Sequence, residues 1–449
     1  MIINKPTGLR LELILVAFVV ILNTCSVKQK LQVVDDYYIN SKNKENNSLE
    51  NIEEIPFKQK IFSKDFKSLT FSTKSLILGE PLYNMNSENP IIINFDLLRN
   101  HRESIQYEII HCDKEWKKSN VLSMDAIDGF DLDYIENQEI SYGPMQQYVN
   151  YNFELPNNNT DFLISGNFII KVFKEGNPEK PLATLKFFVS EQISTINFLI
   201  DKSRDVEQSK YLQAFELECT YNSSDIVDPY ENISINIQQN HQEFDQYWLS
   251  GPNFIKENKL VFLPSEDQTF NGSNEFRFFD MSSFRNGSQR IENINFNDTI
   301  FSINLKKDVR RSYKQYLQYK DMNGRFFIRT YDFDDANSQS EYGMVNFRLP
   351  MKQNNNDSIY LFGQLTNWAI DNNFLMTYDS INNFYQNSSL LKQGYYNYIY
   401  VVKISNGIST RKIEGAHFES NNEYILKMYY SDPLNLCDRI LSYKVVKSN

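Results

Sequence analysis

From Lys60 onward the chain is a succession of short apolar runs, each closed by Asn, Asp, Gly or Pro. SLTFST, PIIINFDLL, IQYEIIHCD, YVNYNFELP, NFIIKVFKE and LATLKFFVS come first, rich in the Val, Ile, Phe and Tyr that suit a half-buried pleated surface. Nowhere does the apolar spacing reach the period and length of a long helix. A chain so punctuated is restricted to sheets, and the spacing predicts an all-β fold of tandem immunoglobulin-like or fibronectin-like β-sandwiches. At 449 residues it is too long for one core. The runs divide into an N-terminal sandwich over 59–190 and a middle β-rich region over 191–350, of one or two sandwiches. Asn271-Gly272, Asn286-Gly287 and Asn323-Gly324 supply turn chemistry in the middle region. After the polar break MKQNNNDS, a third sandwich is expected over 351–449.

The first residues carry an address rather than a fold. Lys5 and Arg10 precede the apolar run Leu13–Leu22, which is too short to span a bilayer and fits a signal peptide over residues 1–25. Leu22-Asn23-Thr24-Cys25 resembles a bacterial lipoprotein cleavage box, with Cys25 as the lipid attachment site, although Thr24 replaces the usual small residue. Residues 26–58 are polar and read as a flexible tether. The protein is therefore expected to be exported from the cytoplasm, with membrane contact by a lipid anchor at most. A net charge of −11 argues against a nucleic-acid partner, and no basic stretch is recognised to offset it. Cys112, Cys219 and Cys437 are far apart and odd in number, and read as buried thiols.

Sequence patterns for catalysis are missing. His101, His111, His241 and His417 are scattered without a zinc spacing, and no nucleophile elbow, dinucleotide fingerprint or Walker motif occurs. His111-Cys112 is read as structural, because neighbours on a strand point to opposite faces. No catalytic residue, metal ligand or cofactor is assigned, and the protein is expected not to be an enzyme. The acidic groups DGFDLD at 128–133 and DFDD at 332–335 are read as solvated loops, the first without the spacing of a calcium loop. One stretch stands out: residues 112–147 show neither helical nor strand periodicity, and long loops of that kind are commonly functional. Asp125, Asp128, Phe130, Asp131, Asp133 and Tyr134 are its candidate partner-binding residues.

Beyond residue 351, Gly363, Asn367, Trp368, Met376, Gly394, Tyr396, Tyr398 and Tyr400 are placed as in the early-set sandwich of glycogen- and starch-binding modules, which this region resembles. Trp368 would mark a sugar-module turn, against the plainer reading of a core tryptophan.

Across 60–449 an ordered set of segments is similar to one family. NFDLL at 94–98, YEIIHCDKEW at 107–116, YVNYNFELPN at 148–157, SGNFIIKVF at 165–173 and DPYENISINIQQN at 228–240 belong to it, followed by NGSNEFRFFD at 271–280, DMNGRFFI at 321–328, YGMVNFRLP at 342–350, LFGQLTNW at 361–368 and LLKQGYYNYIYV at 390–401. The chain resembles the plug-protein family of the type IX secretion system of Bacteroidota. The resemblance implies a non-enzymatic plug that seals the periplasmic mouth of the giant outer-membrane β-barrel translocon when no cargo is engaged. It also implies that translocon as partner and the periplasmic face of the outer membrane as location. The alternative is a carbohydrate-binding or glycan-processing outer-membrane lipoprotein, which requires exposed coplanar aromatics near Trp368 or two facing carboxylates.

Overall fold

The computed structural model describes residues 57–448, apart from 223–225, 264–267 and 406. The signal sequence, Cys25 and nearly all of the tether lie outside the described residues. No helix among the described residues exceeds four residues, and the rest of the regular structure is strand, as the apolar spacing predicts.

The first sandwich uses the alternation directly. In Ile91–Leu97 the residues Ile91, Ile93, Phe95 and Leu97 face inward, and the strand pairs with Phe66–Ser72 on one side and Val149–Leu155 on the other. Asn137–Ile140 completes that sheet. The facing sheet is built on Ile105–Cys112, Gly166–Lys174 and Pro181–Ser190, with Lys60–Ile61, Leu82–Asn84 and Leu132–Tyr134 at its margins. Phe95, Tyr107, Tyr151, Phe168 and Phe187 fill the space between the sheets.

A second sandwich draws its strands from two distant parts of the chain. One sheet comprises Thr195–Lys202, Leu212–Thr220, Lys259–Phe262, Phe254–Lys256 and Thr269–Asn271. The other runs Gln246–Leu249, Ile233–Gln239, Glu423–Asp432, Cys437–Lys447. Ile235 lies opposite Met428, and Ile237 opposite Leu426. The third sandwich is inserted between these two parts. Arg277–Asp280, Phe326–Ile328, Ser358–Phe362 and Gly407–Ser409 gather around the long strand Gly394–Ile404. Opposite them lie Ile291–Phe296, Phe301–Leu305, Tyr342–Pro350, Phe384–Lys392 and Thr377–Asp379.

This arrangement corrects the expectation that residues 351–449 form one continuous body. The last two strands do not extend the sheet of Gly394–Ile404; they pair with Ile233–Gln239 and close the second core with Tyr424, Leu426, Met428, Tyr430 and Leu441. Likewise the span 191–350 contains the opening strands of two sandwiches rather than complete ones. Periodicity within a strand shows that it is a strand, but carries no information about a partner so distant in the chain.

Candidate partner-facing segment and interdomain junction

Residues 112–147 are folded, contrary to the expectation of a structureless loop. Ser123–Ala126 makes one helical turn, and Ile127–Gly129 pairs with Thr160–Phe162. Leu132–Tyr134 joins the edge of Ile105–Cys112, whereas Asn137–Ile140 joins Val149–Leu155 in the opposite sheet. The segment thus crosses from one sheet to the other in strands of three or four residues, too short for a period to be visible.

The six predicted residues divide into two sets. Asp125, Asp128, Phe130 and Tyr134 are exposed, and Leu122, Met124 and Leu132 are exposed among them. Asp131 and Asp133 are half-buried and tied into the turn: Asp131 accepts from the Ser123 hydroxyl, and Asp133 Oδ2 accepts from Asn159 Nδ2 at 3.0 Å. The Tyr134 hydroxyl donates to Glu175 Oε1 at 2.6 Å. The segment thus leaves five apolar side chains exposed, with Asp125 and Asp128 exposed among them in sequence.

Beyond Ile140 the segment turns onto the third sandwich. Tyr142 N donates to Ser338 O at 3.1 Å, Met145 N to Glu341 Oε2 at 2.6 Å, and the Tyr148 hydroxyl to Ser340 O at 3.0 Å. Beneath this contact Asp96 is fully buried and receives Lys392 Nζ at 2.7 Å and the Tyr342 hydroxyl at 2.6 Å. The second half of the segment is therefore an internal strap between two bodies. Elsewhere DFDD differs from the solvated loop expected of it: Asp332 accepts from the Ser283 hydroxyl and Gln393 Nε2, both at 2.9 Å, and Asp335 caps the helical turn Ala336–Gln339.

A second cluster, invisible in the sequence, joins all three sandwiches. Glu80 comes from the first, His241 and Glu423 from the second, and Arg325 from the third. Arg325 Nη2 donates to both glutamates and lies 2.9 Å from His241 Nε2. The ligand atoms of Glu80, His241 and Glu423 all lie within 4.8 Å of one another, the one such group among the described residues. A guanidinium already supplies the positive charge at their centre, so the set fits an ion-pair knot and not a metal site. Burial pulls the His241 imidazole down, but the carboxylates of Glu80 and Glu423 outweigh it and shift it upward. Burial alone would raise Glu80, yet His241 and Arg325 hold it well below the usual carboxylate range.

Trp368 lies at the same junction. Its ring stacks on His241 at 4.5 Å and 23° and meets the edge of Phe362 at 5.9 Å. Gly324, at φ +87°, makes room for it: a Cβ there would sit 2.9 Å from the indole and 2.5 Å from Phe276. Trp368, read from the sequence as a core tryptophan or as a sugar-module turn, thus packs against a neighbouring body.

His111 and Cys112 are structural. Burial lowers His111 to about 4 and raises Cys112 to about 12, leaving neutral imidazole and thiol at neutral pH. Cys112, Cys219 and Cys437 are free and buried, as their placement in the sequence suggests.

Residues 66–191, the first sandwich with its crossing segment, match the family described as type 9 secretion system plug protein 1st domain. That match supports the plug family. A crystal structure of a hypothetical protein from Parabacteroides merdae ATCC 43184 is 28% identical, with a TM-score of 0.84 over 88% of this chain and 100% of that one. The likeness extends the shared architecture well beyond residues 66–191. Trypsin-activated alpha-2-macroglobulin from Escherichia coli, 10% identical with a TM-score of 0.17 over 85% of this chain and 28% of that one, carries no argument. No curated protein matches the sequence. The likeness of residues 351–449 to starch-binding modules finds no support in these comparisons.

Proposed function

We propose that the chain is a non-enzymatic plug of the type IX secretion system, which occupies the periplasmic mouth of the outer-membrane β-barrel translocon while no cargo is engaged. The observation that carries this reading is the family match over residues 66–191. That stretch also holds the exposed set Leu122, Met124, Phe130, Leu132 and Tyr134, flanked by Asp125 and Asp128, which we take as the translocon contact. Exposed apolar side chains interspersed with carboxylates on a folded sandwich suit an interface that must form and release. Residence on the periplasmic face of the outer membrane, held by lipid on Cys25, belongs to the same reading. The carbohydrate alternative is weakened by Trp368, whose ring is engaged with His241 and Phe362.

Affinity purification of a tagged copy from detergent-solubilised outer membranes tests the proposal. Mass spectrometry is expected to find a very large β-barrel protein. Phe130→Ser combined with Leu132→Ser should cut its recovery at least tenfold, since a few well-packed anchors at the centre of an interface carry most of its binding energy. Recovery of the chain alone, or with glycan-uptake proteins, would overturn the plug reading.

A further inference from the structure

Between Lys306 and Lys320 the sequence KKDVRRSYKQYLQYK carries six cations and one carboxylate, in a chain of net charge −11. The run contradicts the expectation of no basic stretch, which the acidic balance of the whole chain suggests. The run follows strand Phe301–Leu305 and, from Lys306 on, has neither helix nor strand.

It is nonetheless held in place. Arg311 points inward: its Nε donates to Glu414 Oε2 at 2.7 Å and its Nη1 to the Tyr319 hydroxyl at 2.9 Å. Tyr319 in turn donates to Phe276 O at 2.9 Å, and the Tyr316 hydroxyl to Glu419 O at 3.2 Å. Asp308, the one carboxylate, is buried against Arg277 and Arg290. With these residues directed inward, Lys306, Lys307, Arg310, Lys314 and Lys320 are left exposed. Lys306 and Arg310 reach only backbone carbonyls, of Gln289 and Lys412, and Lys307 lies over the Phe384 ring. Glu292 lies within electrostatic reach of Lys306 and Lys307, and it is bound to Arg348. Between the cations, Tyr313 and Leu317 stand 74% and 73% exposed.

We propose that this strap docks on an anionic lipid surface. Cations interleaved with protruding aromatic and aliphatic side chains satisfy both parts of a membrane interface, the charged headgroups and the acyl boundary beneath them. Screening confines each charge to roughly 10 Å, so the local basic strap governs the approach although the chain is acidic as a whole. An anionic protein surface would attract the cations equally well; the membrane reading rests on Tyr313 and Leu317 protruding between them, as side chains that enter the acyl boundary do. The proposal does not require the plug reading: it needs neither the translocon nor lipid on Cys25.

Co-sedimentation of the chain beginning after Cys25 with phospholipid vesicles tests it. Binding is expected to vesicles containing phosphatidylglycerol, to be weak on pure phosphatidylcholine, and to fall with added salt. Each Lys→Gln or Arg→Gln change at the five exposed cations should weaken partition roughly fivefold, and Tyr313→Ser with Leu317→Ser should weaken it at constant charge. These side chains support no core, so the variants should melt as the parent does; a Lys→Arg set provides a charge-preserving control. Equal sedimentation of the five-cation variant and its parent would overturn the proposal. So would failure to prefer anionic vesicles, including the case in which the chain is retained by an acidic polypeptide instead.

Discussion

Lys392 and Asp96 show how a pair of single residues ties two bodies together. Both side chains are almost wholly buried, at 2% and 0%, and Asp96 is further satisfied by Tyr342 and by Asn150 Nδ2 at 2.8 Å. Removing one partner leaves the other charge buried without its counterion, a more costly change than removing both. Lys392→Met is therefore expected to destabilise the protein by about 3–5 kcal/mol, seen as a lower midpoint in guanidinium. The double variant Asp96→Asn, Lys392→Met should recover a substantial part. A double variant no more stable than Lys392→Met alone would refute this account of the pair. None of this was legible in the sequence, where Lys392 sits in LLKQG as an ordinary polar residue beside a turn.

Among the elements, the final strand Cys437–Lys447 has the widest structural role. It closes the second sheet beside Glu423–Asp432, sends Leu441 into the second core, and lays Ile440 and Tyr443 against Phe188 of the first sandwich. Arg439 forks onto Glu191 with bonds of 2.8 and 2.7 Å. Gly166, at φ +145°, lets the strand pass: a Cβ there would lie 2.8 Å from Asp438 O and 2.6 Å from His111 Nε2. Loss of a buried Ile, Leu or Tyr each costs about 2–5 kcal/mol, and a domain has only about 5–15 in hand. A chain ending at Leu436 should consequently lose its second sandwich, with rapid proteolysis between residues 195 and 271 while the first sandwich persists. An intact second sandwich in such a chain would mean that the strand merely decorates the sheet.

At the scale of the whole molecule, three sandwiches meet at Glu80, His241, Arg325 and Glu423. With His241 neutral the knot holds two carboxylates against one guanidinium; with His241 protonated the charges balance. The folded imidazole is raised above its ordinary value near 6.5. Its contribution to stability is thus complete below that pH and is lost as pH rises through the higher folded value. Thermal melts across this range should show stability declining from mildly acidic to alkaline pH, with His241→Gln flattening the decline. An unchanged slope in His241→Gln would place the dependence on other groups. The knot ties the three sandwiches together at the point where they meet.

The sequence by itself determined the strands and the fold class. Runs such as SGNFIIKVF and GYYNYIYVV alternate or cluster apolar residues in a way that only sheets can bury, and the structure has them as Gly166–Lys174 and Gly394–Ile404. It also marked residues 112–147 as unusual, although edge strands of three or four residues are too short to show a period. Tertiary structure alone decided that Glu423–Asp432 pairs with Ile233–Gln239, that Trp368 turns onto His241, and that four charged residues from distant segments form one knot. The physical reason is common to all three. Local periodicity reports which face of an element is buried, whereas a partner far along the chain is chosen by shape and charge once the faces meet.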